Sequence, residues 1–116
     1  MKNILIVDDD PEITKSLALL LSEKYNVGIA SNGFSAIDKL KEADYDLILL
    51  DLLMPGLDGA GFVDALQEGE KTPPILLISG SQNAAEKARL LKVTDYMLKP
   101  FHVDELEAKI DKLIGT

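Results

Sequence analysis

Short apolar runs alternate with amphipathic stretches along the whole chain, and this alternation restricts the possible folds more than any other feature. We predict strands over residues 3–7, 27–30, 46–50, 75–78 and 95–98. The first, third and fourth runs are almost continuously Ile, Leu and Val, as in central strands of a parallel sheet that is covered on both faces. The second and fifth runs are more mixed, which favours flanking or edge positions.

Helical periodicity fills the segments between these strands. Asp10 followed by Pro11 is typical of a helix start, with a capping side chain and then a proline at the first helical position. The apolar residues that follow share the spacing of one helix face: Ile13, Leu17, Leu20 and Leu21. Further helices are predicted around residues 36–40, 59–66, 83–91 and 106–114. We therefore expect an α/β fold with a single doubly wound five-stranded parallel sheet and five helices.

Length and composition restrict the class of protein. The 116 residues contain no repeat or linker, so we expect one domain over residues 1–116. The absence of cysteine excludes disulfides and thiolate metal sites and suits the cytoplasm. No apolar run approaches the roughly 18 residues of a membrane span, and we expect neither a signal peptide nor membrane association. The net charge of −8 repels nucleic acid, so direct nucleic-acid binding is not expected.

Polar residues follow four of the five predicted strands: Asp8 and Asp9, then Asp51, Ser79 and Lys99. Ligands of such sheets bind outside the carboxyl ends of the strands, so we expect these side chains around one crevice. Two carboxylates about 4 Å apart repel by roughly 4 kcal/mol at an effective dielectric of about 20. Three acids with one lysine therefore require either protonation or a divalent cation. Oxygen ligands without cysteine or clustered histidine favour Mg²⁺, Mn²⁺ or Ca²⁺ over Zn²⁺, and a shallow open crevice matches Mg²⁺.

A metal beside these groups indicates phosphoryl transfer. Asp51 is the expected nucleophile, because it projects from the middle of the crevice and a carboxylate can form an aspartyl-phosphate. The metal and Lys99 would neutralise charge on the transferred group. The Ser79 hydroxyl would donate to a phosphate oxygen, and Gly80 would leave space and a free backbone N–H.

Four stretches in this order resemble the receiver domain of bacterial two-component response regulators: "ILIVDDDP", "DLILLDLLMPGLDG", "PILLISG" and "DYMLKPF". The resemblance covers essentially the whole chain and implies a flavodoxin-like sheet of strand order 2-1-3-4-5. It implies that a sensor histidine kinase or phosphotransfer protein passes a phosphoryl group to Asp51. It also implies a downstream effector protein or output domain that responds to phosphorylation.

The resemblance assigns the metal ligands. Asp9 and Asp51 would bind Mg²⁺ directly, together with the backbone carbonyl of Leu53. Asp8 would act on the metal through a water molecule.

The resemblance also assigns the residues that respond to phosphorylation. Ser79 matches the switch hydroxyl, Tyr96 the switch aromatic and Lys99 the phosphate-binding lysine. The Lys99–Pro100 peptide bond is cis in the family. Phosphorylation would draw Ser79 inward, let Tyr96 follow, and so alter the surface formed by the helix over residues 83–91, the fifth strand and the last helix. The segment between Ser79 and Lys99 is shorter than the family pattern, and "KVTDY" replaces a Gly-Ala pair, which leaves the form of that helix open.

Several candidate residues also have an ordinary structural interpretation. Asp10 is interpreted as a cap, and His102 as the start of the last helix rather than a base. Glu105 and Lys109 have the spacing of an i, i+4 pair on a solvated helix face. Tyr96 is interpreted as a switch residue, with half-buried packing as the alternative.

Two rival functions stay open at this stage. The first is a Mg²⁺-dependent phosphatase or phosphotransferase acting on small molecules, but that class usually has a second acid close to the nucleophile and a cap domain. Here Leu53 stands two residues after Asp51, and no insertion is long enough for a lid. The second is a degenerate receiver used only for protein contact, although the acid and lysine positions are retained. The chain itself, ending at Thr116, is either a stand-alone regulator or part of a longer protein with an output domain.

Overall fold

Strands and helices alternate in the computed structural model, which describes residues 1–51, 73–80 and 82–115. The elements are β1 (Asn3–Val7), α1 (Pro11–Leu21), β2 (Asn26–Ala30), α2 (Gly33–Glu42), β3 (Leu47–Asp51), β4 (Ile75–Ser79), α3 (Ala84–Leu91), β5 (Asp95–Leu98) and α4 (Val103–Ile114). The helix predicted over residues 59–66 lies outside the described residues. Within the described part of the chain, no helix has the length and hydropathy that crossing a bilayer would need.

The five strands form one parallel sheet in the order β2-β1-β3-β4-β5, which confirms the predicted flavodoxin-like fold. Two strands end one residue later than the sequence predicted: β3 covers Leu47–Asp51 instead of residues 46–50, and β4 covers Ile75–Ser79 instead of residues 75–78. Asp51 pairs in register with Ile78, and Ser79 pairs with Leu98, so each polar residue is the last of its strand. The extension follows from the ladder, because backbone pairing continues regardless of the side chain's polarity. The rigid sheet therefore positions both side chains directly.

The sheet is covered on both faces, which explains why its central strands are apolar without alternation. Ile4 and Ile6 of β1 belong to the cluster that includes Leu17 and Leu21 of α1 together with Leu106 and Ile110 of α4. Leu5 and Val7 of the same strand belong to the opposite cluster, which includes Ala36 of α2 and Ala88 of α3. Because successive side chains of a strand point to opposite faces, one apolar run supplies both cores.

The start of α1 confirms the capping role predicted for Asp10. Its side chain accepts hydrogen bonds from the backbone amides of Glu12 (3.0 Å) and Ile13 (3.4 Å). The prediction that Leu20 lies on the buried face is wrong, because its side chain is 45% exposed. The buried residues of α1 are instead Thr14, Leu17 and Leu21.

The short segment before β5 still forms a helix. α3 has eight residues and ends at Lys92, whose backbone is left-handed with φ of 59°. The Lys92 amide donates to the Arg89 carbonyl at 3.2 Å, and the Val93 amide donates to the Ala88 carbonyl at 3.1 Å. This is the position that glycine usually occupies after a helix, since it lacks a Cβ. Lys92 therefore adopts a left-handed backbone conformation that is unfavourable for a residue with a Cβ.

Candidate functional site

The carboxyl ends of neighbouring strands bring the predicted polar residues to one edge of the sheet. β1, β3, β4 and β5 are consecutive in the sheet, and Asp8, Asp51, Ser79 and Lys99 stand at or just beyond their ends. The Lys99 amide donates to the Ser79 carbonyl at 2.9 Å, which continues the ladder past β5. A cavity of about 500 Å³ opens at this edge, with Asp8, Asp51 and Lys99 in its lining. The rest of its wall is mainly apolar and includes Ile13, Leu17 and Phe101.

Lys99 and Asp51 form an ion pair across this cavity. The Lys99 ammonium lies 2.9 Å from Oδ2 of Asp51, and the two side chains are 33% and 11% exposed. The lysine therefore reaches a largely buried carboxylate from the solvent side. A cation in this position would attract the oxygens of a phosphoryl group.

Asp8 is the most deeply buried acid of the site. Its side chain is buried, and Oδ1 accepts a hydrogen bond from the Asp10 amide at 3.1 Å. Burial raises the pKa of Asp8, and the charges of Asp51 and Asp9 raise it further; the Asp10 amide and the Lys99 charge offset only part of this. The ionised form is therefore costly here, and a bound cation would relieve that cost.

The three acids are not equally placed. Asp9 is exposed and does not line the cavity that Asp8 and Asp51 share. In residues 1–51, 73–80 and 82–115, no group of three or more His, Cys, Asp or Glu side chains is arranged to hold a metal ion. Leu53, whose carbonyl was expected to complete the ligand set, lies outside the described residues. The structure thus brings together two of the three predicted acids, Asp8 and Asp51, and places Lys99 on the solvent side of the cavity.

The donor chemistry of the cavity fits magnesium. Its charged lining, as far as the described residues show it, consists of two carboxylates and one ammonium. Mg²⁺ is typically bound by one or two carboxylates and keeps several waters, whereas softer metals seek thiolate or imidazole. The raised pKa of the buried Asp8 is the observation that favours a cation, because neutralisation would restore its ionised form.

The remaining predicted residues lie around this edge. Ser79 is buried, whereas Gly80 is exposed and a methyl group added there would meet no atom within 4 Å. The described contacts therefore do not themselves require glycine at residue 80. Tyr96 is half-buried and packs against the cluster on the α2 and α3 face. The Lys99–Pro100 peptide bond is cis.

The sequence did not predict the ion pair that Lys109 and Asp95 form near Tyr96. Lys109 of α4 bonds to Asp95 rather than to Glu105, with its ammonium 3.0 Å from Asp95 Oδ2. The same ammonium lies 6.0 Å from the centroid of the Tyr96 ring. The available signal in the sequence was the position of Asp95 directly before Tyr96, the residue predicted to be the switch aromatic. His102 is the N-cap residue of α4, as predicted, and makes no side-chain capping bond.

The fold and this site define a class of protein, and comparison with known families identifies it. The profile of the response regulator receiver domain family matches residues 4–111, and the chain belongs to that family. It is a phosphoacceptor module of two-component signalling. Receiver domains are signalling domains rather than metabolic enzymes, and they interact with histidine kinases and output domains.

The chain also resembles individual members of the family. It is 40% identical over 114 residues to the cell cycle response regulator CtrA of Brucella ovis. The alignment covers 96% of this chain and 49% of CtrA, so the chain spans about half the length of that relative.

Similar solved structures include magnesium complexes. One is the response regulator TrrA of Thermotoga maritima in complex with Mg²⁺ and BeF, with 34% identity, a TM-score of 0.86, and coverage of 97% of this chain and 99% of that one. Another is the receiver domain of the sensor histidine kinase PA1611 of Pseudomonas aeruginosa with magnesium coordinated in its active site cleft. Its identity is 28% and its TM-score 0.89, with coverage of 99% and 98%.

Proposed function

We propose that Asp51 is the phosphoacceptor of this receiver domain and that the phosphodonor is a phosphohistidine of a sensor histidine kinase or phosphotransfer protein. An Asp51 carboxylate oxygen attacks phosphorus, the N–P bond of the phosphohistidine breaks, and the departing imidazole takes up a proton. The observation that carries the proposal is the ion pair between Asp51 and Lys99 beside the buried Asp8 in one cavity.

The neighbouring residues position the reacting groups. Lys99 neutralises charge on the phosphoryl oxygens, and its hydrogen bond to Asp51 orients that carboxylate. Asp8, Asp9 and Asp51 would hold Mg²⁺, with Asp8 acting through water and the carbonyl of Leu53 as a further ligand; Mn²⁺ would fit the same oxygen donors. When bound, the metal supplies positive charge to the phosphoryl oxygens. The domain catalyses only its own phosphorylation and dephosphorylation.

The response to phosphorylation is proposed to pass through Ser79 and Tyr96. Ser79 is buried at the end of β4, next to Asp51 at the end of β3, so its hydroxyl is close to the modified edge. Gly80 is exposed beside it. Movement of Ser79 toward the phosphoryl group would free space for Tyr96, which is half-buried on the adjacent edge strand. The surface formed by α3, β5 and α4 would then be read by an effector protein or by an output domain, in the cytoplasm.

The test is phosphorylation with acetyl phosphate and Mg²⁺, followed by intact-mass and peptide mass spectrometry. We expect a single acid-stable, hydroxylamine-sensitive phosphoryl group on Asp51, and none when Mg²⁺ is chelated. Asp51→Asn should abolish labelling, while the matched control Asp38→Asn, an exposed acid on α2, should label as wild type does. Labelling at another acid, or undiminished labelling of Asp51→Asn, would contradict the proposal.

A further inference from the structure

Tyr96 lies on β5, which is the last strand of the sheet formed by the described residues. Among those residues β5 pairs with β4 alone, and Tyr96 pairs in register with Leu77. Its ring packs against the α2 and α3 face of the sheet, while α4 packs on the other face. A contact from α4 to this ring must therefore pass around the open edge of the sheet.

Lys109 makes that contact. Its ammonium lies 6.0 Å from the centroid of the Tyr96 ring, at the limit of a cation–π interaction. Asp95 fixes the ammonium there through a 3.0 Å ion pair, in which the two side chains are 34% and 17% exposed. The second oxygen of Asp95 accepts a hydrogen bond from the Tyr96 backbone amide at 2.7 Å. The lysine, the acid and the ring thus form one connected group.

The charges around Asp95 support this arrangement. Burial alone would raise the pKa of Asp95, but the hydrogen bonds from Lys109 and the Tyr96 amide, with the charges of Lys109 and Lys112, lower it below its ordinary value. Asp95 is therefore ionised at neutral pH, as its ion pair with Lys109 requires. Glu105 and Lys112 line the same edge groove, so Lys109 is one of two cations there, but it is the one in contact with the ring among the described residues.

We propose that Lys109 is a positioning residue for the switch, which holds the Tyr96 ring at the open edge of the sheet. Its contact stabilises this ring position and opposes the inward movement of Tyr96. The inference rests on the proposed roles of Asp51 and Tyr96 in phosphorylation and switching. Asp95 serves as the anchor that keeps the ammonium in place.

The size of the effect follows from the linkage between the two ring positions. A residue that contacts the Tyr96 ring in only one of the ring's two positions shifts the equilibrium between those positions by the free energy of that contact. For a partly exposed cation–π pair this corresponds to a factor of about two to five. Removal of the Lys109 charge should increase the population of the inward position by that factor. Affinity for a phosphoryl analogue that selects the inward position should rise equally, since linkage is reciprocal.

The experiment uses beryllofluoride with Mg²⁺ as the phosphoryl analogue. Its apparent Kd is measured for wild type, Lys109→Met, Lys109→Arg and the matched control Lys112→Met, and the Tyr96 ring resonances are followed by NMR. Lys109→Met keeps the apolar stem and removes the charge, whereas Lys109→Arg keeps both. We expect Lys109→Met to bind the analogue about two- to fivefold more tightly, with Lys109→Arg and Lys112→Met close to wild type. Without analogue, only Lys109→Met should move the Tyr96 resonances toward their bound positions.

The two proposals fail in different ways. A wild type that binds beryllofluoride, with Lys109→Met equal to it and the Tyr96 resonances unmoved, would overturn the positioning role alone. Equal tightening by Lys112→Met would overturn it too, since a general charge effect would then explain the change. A wild type that binds no beryllofluoride would overturn the proposed function and the positioning role together.

Discussion

Replacement of Lys99 by methionine removes the ammonium and keeps the apolar stem that lines the cavity. At the 2.9 Å separation from Asp51, the attraction is roughly 6 kcal/mol for an effective dielectric of about 20. Most of this attraction is offset by the hydration that the two charged groups lose when they pair, because the lysine is one-third exposed and water competes for it. We therefore expect Lys99→Met to lower the free energy of unfolding by about 1 to 2 kcal/mol in metal-free buffer, between the values for exposed and buried pairs.

Magnesium should reverse much of this loss. Without Lys99, the carboxylates of Asp8 and Asp51 present more uncompensated negative charge, and we expect Mg²⁺ to bind about tenfold more tightly, which corresponds to about 1.4 kcal/mol. Binding to the folded state alone stabilises it by RT ln(1 + [L]/Kd), so saturating Mg²⁺ narrows the deficit by up to that amount. Labelling of Asp51 by acetyl phosphate should nevertheless fall, because the phosphoryl oxygens lose their lysine.

The assay is urea denaturation with and without Mg²⁺, for wild type, Lys99→Met and the control Lys41→Met on an exposed lysine of α2. The control should show no deficit that depends on magnesium. A Lys99→Met deficit of the same size with and without Mg²⁺ would contradict the proposed exchange of lysine for metal charge. A Lys99→Met variant more stable than wild type in metal-free buffer would contradict a stabilising ion pair.

Three further predictions concern stability, measured by chemical denaturation. Burial and the hydrogen bond to Asp111 raise the pKa of Tyr25. The contribution of Tyr25 to folding stability is therefore complete below the unfolded pKa of about 10 and is lost as the pH rises through the folded pKa. Tyr25→Phe should lower the free energy of unfolding by about 1 kcal/mol at neutral pH and weaken the loss of stability at alkaline pH, and an unchanged alkaline loss would contradict this. Asp10→Ala should cost about 1 kcal/mol through the lost α1 cap, whereas Asp10→Asn should cost little; equal losses would show that charge matters more than capping. Lys92→Gly should add about 1 kcal/mol by relieving the left-handed backbone at the end of α3, and a gain of the same size from Lys92→Ala would argue against that cause.

The parts of the fold that depend on local pattern were predictable from the sequence. The order and type of the described elements follow from apolar periodicity, and the Asp10 cap follows from its position before Pro11. Leu20 shows the limit of this reasoning. The spacing of α1 placed Leu20 on the apolar face, but the sheet covers only the part of that face that carries Leu17 and Leu21. Periodicity shows which side of a helix is apolar, but the number of residues that are buried on that side depends on what packs against the helix.

The site was predictable to the extent that strand ends determine it. Because parallel strands share one carboxyl edge, Asp8 and Asp51 were expected together and share a cavity. The exposure of Asp9 follows from the turn after β1, which the sequence does not specify. Lys109 was assigned to Glu105 by helix spacing alone, yet its partner Asp95 lies on another element. Such long-range pairs depend on how α4 crosses the sheet edge, which no local pattern encodes.

Magnesium binding at this edge of the sheet can be measured by Mg²⁺ titration followed by ¹³C NMR of the aspartate carboxyl carbons. We expect the Asp8 and Asp51 signals to move together and saturate, and the Asp9 signal to move with them. The signal of the exposed Asp38 should stay in place. Asp51→Asn should weaken the response of Asp8. Signals of Asp8, Asp9 and Asp51 that stay unmoved throughout the titration would contradict the claim that this edge of the sheet binds magnesium for phosphoryl transfer.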